Sequence, residues 1–326
     1  MKKLVCLVLA ALMAMSLCAV AEEGLRVAVV LAGATGDRSF YDSANAGLEA
    51  LKAGALGIQG SLIECKDDAS MYAINLVSAA EDNDVVIAVG WEFWDALEEY
   101  VPEYPDTRFI FIDNGLDGVG DNLMSITYAQ NEGSYLVGYI AGSLTKTGKI
   151  GAVGGEDSET INDFLVGYEA GAKRADPDVE VQIRYAGDYS DPAKGKELAL
   201  ALYDGGCDII FQVASLTGEG VFEAAAERGL YAIGVDSDQK YIDPDHILCS
   251  MIKQVGLSIE TVITDYVENG TWMGGEIWEA NMATGLVDVG YGDETMPQQV
   301  SDELKAEVET IREAIISGEI EVPSAF

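Results

Sequence analysis

The chain is short of the residues on which many enzymes and metal sites depend. It has one histidine, His246, among 326 residues. A single histidine excludes a multi-histidine metal site and any catalytic relay built on several histidines. No Cys-x-x-Cys, His-Glu-x-x-His or Gly-x-Ser-x-Gly motif occurs. We therefore predict no catalytic residue, no metal site and no cofactor, and we interpret His246 as a loop residue.

Basic residues are also scarce. Lys and Arg total 19 against 56 Asp and Glu, which gives a formal net charge of -37 at pH 7. A surface with this charge repels nucleic acid and anionic membranes, so neither is expected as a partner. We interpret most of the acid excess as a solubility feature.

Cysteine is limited to five residues, two of them within the first 18 positions. The other three are Cys65, Cys207 and Cys249, an odd number with no close pair. Cys207 and Cys249 lie in apolar, strand-like contexts, which favours buried thiols over a disulfide framework.

The amino terminus has the pattern of a signal peptide over residues 1–21. Lys2 and Lys3 precede an almost wholly apolar run, and residues 19–21 form a small-x-small cleavage signal before Glu22. The sequence therefore predicts an extracytoplasmic protein. The alternative is a lipoprotein anchored at Cys18, although the large Leu17 is unfavourable just before a lipidated cysteine.

Strand-like and helix-like patterns alternate through the rest of the chain. Residues 25–31 form a Val-rich, largely apolar run typical of a strand covered on both faces, and residues 43–52 have helical spacing. Alternation of this kind indicates parallel sheets with helical crossovers. We predict an α/β protein with two doubly wound lobes. The predicted N-terminal lobe comprises 22–129 and 251–275, and the C-terminal lobe 130–250 and 276–326.

Residues 211–253 contain groups well placed to bind a ligand. One buried strand ends at a Gly-rich turn, and a second runs out into an aspartate. Open α/β sheets bind ligands at the carboxyl ends of their strands. The candidates combine an aromatic face, a small-residue turn, an acceptor and a cation: Phe211, Thr217, Gly218, Asp236 and Lys253. This set suits a neutral, planar, hydroxylated ligand better than it suits bond-breaking chemistry.

Several short motifs together resemble one known family. They are GDRSF at 36–40, YPDTRF at 104–109, NEGSYLVGY at 131–139, KTGKIG at 146–151, DPAKGKE at 191–197, residues 211–239 and ISGEIEVP at 316–323. The chain resembles the basic membrane protein family of substrate-binding proteins, which are the nucleoside-binding components of ABC importers. The likeness spans nearly the whole chain after the signal peptide.

The resemblance implies a fold, a ligand and partners. The fold would be the two-lobed type I periplasmic-binding-protein fold with three hinge crossings. The ligand would be a nucleoside, stacked on Phe40 and, from the other side, on Phe211. Asp236 and Lys253 match positions that hold the ribose hydroxyls, and Asp113 matches an acidic position near the base. The partners would be this small molecule and a membrane permease, with the binding protein itself a monomer.

Two departures from the family pattern fall at the base end of the expected site. Leu31 stands where the family has aspartate, and Tyr41 where it has asparagine. An apolar Leu31 cannot accept a hydrogen bond from an N–H of the base. A buried N–H left without an acceptor costs about 1–3 kcal/mol of binding free energy. Tyr41, Trp91 and Trp94 could instead widen an aromatic slot. A larger aromatic ligand such as riboflavin is therefore an alternative.

A second alternative is an enzyme, such as a secreted nucleoside hydrolase that uses Asp236 and Asp113 as acid and base. The sequence has no clustered aspartate motif that would hold a metal or a water nucleophile for such an enzyme. A nucleoside assay separates the two classes, because a capture protein returns its ligand unchanged.

Overall fold

The computed structural model describes residues 24–326, and these form two α/β lobes. The strands are β1 (Arg26–Leu31), β2 (Gln59–Glu64), β3 (Val85–Val89), β4 (Arg108–Ile112), β5 (Leu123–Tyr128), β6 (Lys149–Gly154), β7 (Glu180–Tyr185), β8 (Ile209–Val213), β9 (Tyr231–Asp236), β10 (Ile247–Lys253), β11 (Ile277–Ala280) and β12 (Val287–Gly290). The helices are α1 (Phe40–Ala53), α2 (Tyr72–Asp82), α3 (Trp94–Tyr100), α4 (Gln130–Leu144), α5 (Glu159–Ala175), α6 (Pro192–Asp204), α7 (Glu219–Arg228), α8 (Val255–Asn269) and α9 (Asp302–Ile316).

Each lobe is built on a six-stranded sheet. The first has the order β11-β5-β4-β3-β1-β2 and the second β12-β10-β9-β8-β6-β7. Every strand pair is parallel except β10 with β12, which is antiparallel. Strand β1 illustrates why: residues 27–31 are fully buried, so the strand needs helices on both faces, and the crossovers supply them.

Three connections join the lobes. They run from β5 to α4, from β10 to α8 and from β11 to β12. The backbone of one crossing pairs with that of another: Ala129 N donates to Ala280 O at 2.9 Å, and Gln254 N donates to Leu286 O at 2.8 Å. Three paired crossings make a narrow hinge, and the two-lobed type I fold predicted from the sequence is confirmed.

The lobe boundaries observed near the end of the chain differ from those predicted. Strand β10 runs to Lys253 in the second sheet, and β11 belongs to the first sheet. Residues 251–253 and 277–280 thus lie in the sheets opposite to those that the predicted lobes assign. The cause is the path of the chain: after β10 it returns to the first lobe to add β11, and then crosses to the second lobe to add β12.

Two helices of the second lobe approach each other unusually closely. A Cβ on Gly171 of α5 would lie 1.9 Å from the Tyr135 carbonyl oxygen of α4, and one on Gly138 would lie 2.1 Å from Tyr168 O. Only glycine allows this backbone contact. Helix α4 begins at the first crossing, so the contact ties α5 to the hinge.

Within residues 24–326, no helix is long and apolar enough to cross a membrane. The predicted signal peptide and the lipidation alternative at Cys18 fall outside the described residues. Cys65, Cys207 and Cys249 are free and buried, which confirms the prediction of buried thiols at Cys207 and Cys249.

Candidate functional site

A cavity lies between the lobes, where the carboxyl ends of both sheets meet. Its volume is about 70 Å³. Sites for drug-sized ligands are larger, at roughly 300–1,000 Å³. The lobes are therefore close together in this conformation and have to separate to admit a ligand of nucleoside size.

Lys253 and Asp113 form an ion pair in the cavity wall. Lys253 ends β10 of the second sheet, and Asp113 follows β4 of the first, so the pair joins the lobes. The lysine side chain is 2% exposed. Burial raises the pKa of Asp113, although the adjacent ammonium acts in the opposite direction. Removing either partner would leave a buried charge uncompensated.

Asp236 ends β9 beside this pair. Its Oδ2 accepts a hydrogen bond from Ser39 Oγ of the first lobe at 2.7 Å. Burial raises its pKa to about 6, against the lowering effects of Lys253 and Ser39. Its backbone is in the left-handed region, with φ 62°. Asp113 has φ 81° as well, and strained residues of this kind cluster at functional sites.

The aromatic walls come from both lobes. Phe40, at the start of α1, and Phe164, on α5, line the cavity, and Lys253 Nζ lies 5.1 Å from the centroid of each ring. Phe164 is the ring that sequence reasoning missed. It falls among Ile161, Leu165 and Tyr168 on one helix face, where an aromatic side chain looks like an ordinary core residue.

Phe211 does not line the cavity, contrary to the stacking role expected for it. It is fully buried inside β8, and its ring packs 5.1 Å from that of Tyr168. The physical reason is its place in the strand. Val213, two residues later at the strand end, reaches the cavity, whereas Phe211 lies back in the core.

Thr217 and Gly218 also lie behind the cavity. Thr217 Oγ1 accepts from Asp191 N at 2.8 Å and donates to Asp188 O at 3.0 Å. A Cβ on Gly218 would lie 1.8 Å from Gln212 Oε1. Both residues shape the turn Ser215–Gly218. Its first residue, Ser215, lines the cavity and donates from Oγ to Asp37 Oδ2 across the cleft at 2.9 Å.

Of the four residues expected near the base end of the site, two line the cavity and two do not. Tyr41 and Trp91 line the cavity, and Trp91 is 46% exposed at its mouth. Burial raises the pKa of Tyr41 well above its ordinary value. Leu31 is fully buried in β1 and does not line the cavity, and Trp94 packs edge-on against Phe111 at 6.1 Å. The expected aromatic slot thus contains Tyr41 and Trp91 but not Trp94.

Further polar contacts hold the two lobes together. Asp37 accepts from Ser215 across the cleft, and the backbone N–H groups of Ser39 at 3.1 Å and Tyr41 at 3.0 Å hold its carboxylate within its own lobe. Gln239 Nε2 donates to Arg38 O at 3.1 Å. The bonds that join the lobes, Ser215 to Asp37 and Gln239 to Arg38, have to break when the cleft opens.

The wall chemistry suits binding. Among residues 24–326, no group of three or more His, Cys, Asp or Glu side chains could hold a metal ion. His246, the single histidine, pairs with Asp243 at 2.8 Å outside the cavity. What the wall offers is aromatic area, one ammonium and hydrogen-bond acceptors.

This fold and cleft define a class, the solute-binding proteins of ABC transport systems. A solved ABC transporter solute-binding protein from Aeropyrum pernix K1 superposes with a TM-score of 0.80 at 28% identity, covering 92% of this chain and 94% of that one. Another from Conexibacter woesei gives a TM-score of 0.76 at 25% identity, covering 93% and 100%.

The sequence then places the chain in one family. The family described as ABC transporter substrate-binding protein PnrA-like matches residues 25–325. Basic membrane protein A of Borreliella burgdorferi is 33% identical over 304 residues, or 92% of this chain and 88% of that protein. The ABC transporter nucleoside-binding protein BmpA of Lactococcus lactis is 35% identical over 328 residues, covering 93% and 90%. The chain belongs to the PnrA-like family of ABC transporter substrate-binding proteins.

Proposed function

We propose that this protein captures a nucleoside between its lobes and delivers it to the membrane permease of an ABC importer. Phe40 and Phe164 stack on the base, while Asp236 and Lys253 hold the ribose hydroxyls. One observation carries the proposal: these four side chains, from both lobes, line a single interlobe cavity. The name of the Lactococcus relative supports the ligand class. Neither the relatives nor the solved structures support riboflavin or hydrolysis as alternatives.

The energetics favour a stacked, hydroxylated ligand. Each aromatic pair contributes about 0.5–1.5 kcal/mol beyond the area it buries. Asp236 can accept ribose hydroxyl protons in charge-assisted hydrogen bonds, taking them in place of the Ser39 hydroxyl. Lys253 can donate to the same hydroxyls, and its charge remains balanced by Asp113.

The proposal includes binding without catalysis by a monomer outside the cytoplasm. No histidine reaches the cavity to act as base or acid. The net charge of -37 disfavours nucleic acid as a partner.

Calorimetry with adenosine, guanosine, inosine, cytidine and uridine tests the ligand class. We expect tight one-to-one binding of at least one of them and its recovery intact after release. Mass spectrometry of ligand released from the purified protein identifies the natural ligand. If none of the five binds and the released compound is not a nucleoside, the proposal is wrong.

Export is tested separately. We expect the mature chain to begin at Glu22, after the small residues 19–21. Intact-mass analysis of the exported protein measures this directly. A diacylglyceryl group on Cys18 would show that the chain is anchored as a lipoprotein instead.

A further inference from the structure

Glu92 brings a carboxylate to the base end of the cavity, and the sequence analysis did not single it out. It lies two residues beyond Gly90, just past the end of β3, and lines the cavity beside Tyr41 and Trp91. A Cβ on Gly90 would lie only 2.4 Å from Glu92 Oε2. Gly90 also has φ 118°, a conformation that side chains rarely adopt. The glycine therefore makes room for the carboxylate beside the cavity.

One oxygen of this carboxylate is buried and has no hydrogen-bond partner among residues 24–326. That atom is Glu92 Oε2. The other carboxylates of the cavity wall have partners there, since Asp113 pairs with Lys253 and Asp236 accepts from Ser39. A buried acceptor without a partner is destabilising, so its presence in a binding cavity points to a donor supplied by the ligand.

The charges around Glu92 are consistent with that role. The pKa of Glu92 is raised to about 7, chiefly by burial, against the lowering effect of its own backbone N–H. The acidic neighbours Asp113, Asp67 and Glu156 contribute smaller increases. Tyr41 and Tyr189 are the neighbouring phenols of the cavity wall. A donor from the ligand would favour the ionised carboxylate, which the free protein disfavours.

We propose that Glu92 Oε2 accepts a hydrogen bond from an N–H group on the edge of the nucleobase and thereby sets the base preference. The inference rests on the proposed function and deepens it. Leu31, on the strand adjacent to β3, is apolar and buried away from the cavity, so it offers no such acceptor. The acceptor comes instead from the end of the neighbouring strand. Guanine and adenine present amino N–H groups, and hypoxanthine presents a ring N–H.

The test compares nucleosides that differ in these donors. Guanosine differs from inosine by the 2-amino group, adenosine from purine riboside by the 6-amino group, and inosine from purine riboside by the ring N–H and its carbonyl. Calorimetry measures all four with the full chain as wild type, Glu92→Leu and Glu92→Gln. In at least one pair, the wild type should favour the donor-bearing nucleoside at least tenfold. Glu92→Leu should reduce that ratio to within about twofold while the nucleoside without the donor keeps its wild-type affinity.

The control is Glu98→Gln, an exposed carboxylate on α3 outside the cavity, which should leave every ratio unchanged. Glu92→Gln keeps one neutral acceptor and should give intermediate ratios. Equal weakening of both members of every pair in Glu92→Leu, or no change, overturns the role of Glu92 and leaves the proposed function standing. Failure of the wild type to bind any nucleoside overturns the proposed function and this inference with it.

Discussion

Asp236 is the residue on which the proposed sugar contact depends most. Asp236→Ala removes the acceptor that faces Ser39 and Lys253. Losing a buried, charge-assisted hydrogen bond costs about 2–5 kcal/mol, or more than about thirtyfold in affinity. We expect calorimetry to show a loss of this size for every nucleoside that the wild type binds, because the ribose is common to all.

The matched control is Asp117→Ala, which removes an exposed aspartate outside the cavity. It should bind like the wild type. Wild-type affinity in Asp236→Ala would mean that this carboxylate does not hold the sugar.

Glu92 also predicts a pH dependence of stability in the ligand-free protein. Burial raises its pKa from 4.5 to about 7, so the folded state holds its proton more tightly than the unfolded chain does. The associated stability is fully present below pH 4.5 and is lost as the pH rises through 7. Between these values each pH unit changes the free energy of unfolding by up to about 1.4 kcal/mol.

Urea unfolding of wild type and Glu92→Gln at several values from pH 5 to 8 measures the effect. We expect stability to fall with pH in both, because Asp37, Asp113 and Asp236 also have raised pKa values. The fall should be shallower in Glu92→Gln. Parallel curves would show that Glu92 does not titrate in this range.

At the scale of single residues, the sequence was most informative at strand ends. Asp236 and Lys253 were singled out because polar side chains that follow apolar strands meet at one edge of a sheet, and Asp113 because it matches an acidic position of the resembled family. All three line the cavity. Phe211 was expected to face the cavity but lies in the core, and Phe164 was not singled out although it lines the cavity. An aromatic ring in an apolar stretch has the same local pattern whether it faces a cleft or the core. Only the packing of Phe211 on Tyr168 separates the two cases.

At the scale of elements, the contact between α4 and α5 is the most sensitive to a small change. Gly171→Ala would place a methyl group 1.9 Å from the Tyr135 carbonyl oxygen, which forces the helices apart. Overpacking of a well-packed region costs typically about 1–3 kcal/mol. Thermal or urea unfolding should show a loss of at least this size.

Gly54→Ala provides the comparison, since its added Cβ would meet only ordinary contacts at 3.4 Å and its φ is -73°. This variant should match the wild type or be slightly more stable. If Gly171→Ala unfolds like Gly54→Ala, the close approach of the two helices is not present in solution.

The elements themselves were largely predictable where their signal was strong. A continuous apolar run predicted β1, and helical spacing predicted α1. The four-residue strands β11 and β12 were missed because they lie among Gly-rich segments and are too short to show a period. Those two strands decide the lobe boundaries, which is why the predicted boundaries differ from the sheets observed.

At the scale of the whole molecule, ligand binding should shift the balance between open and closed lobes. The cavity of about 70 Å³ has to open before a nucleoside can enter. Closure then buries the ligand at the hinge. We expect the ligand-free protein to have its lobes open for most of the time in solution, unlike the closed conformation described above, so small-angle scattering should give a smaller radius of gyration with saturating nucleoside than without it.

Asp236→Ala at the same nucleoside concentration serves as the control, because weakened binding should leave its radius of gyration unchanged. An identical radius for the wild type with and without saturating ligand would argue against lobe closure.

The glycine contact between α4 and α5 has a mechanical consequence for this motion. Helix α4 starts at the first crossing, and backbone touching backbone leaves no soft side-chain layer between it and α5. Phe164, on α5, is therefore held rigidly relative to the hinge. A small rotation at the hinge displaces the Phe164 ring together with the lobe. If Phe164 stacks on the ligand as proposed, release of that contact and opening of the lobes occur in one movement.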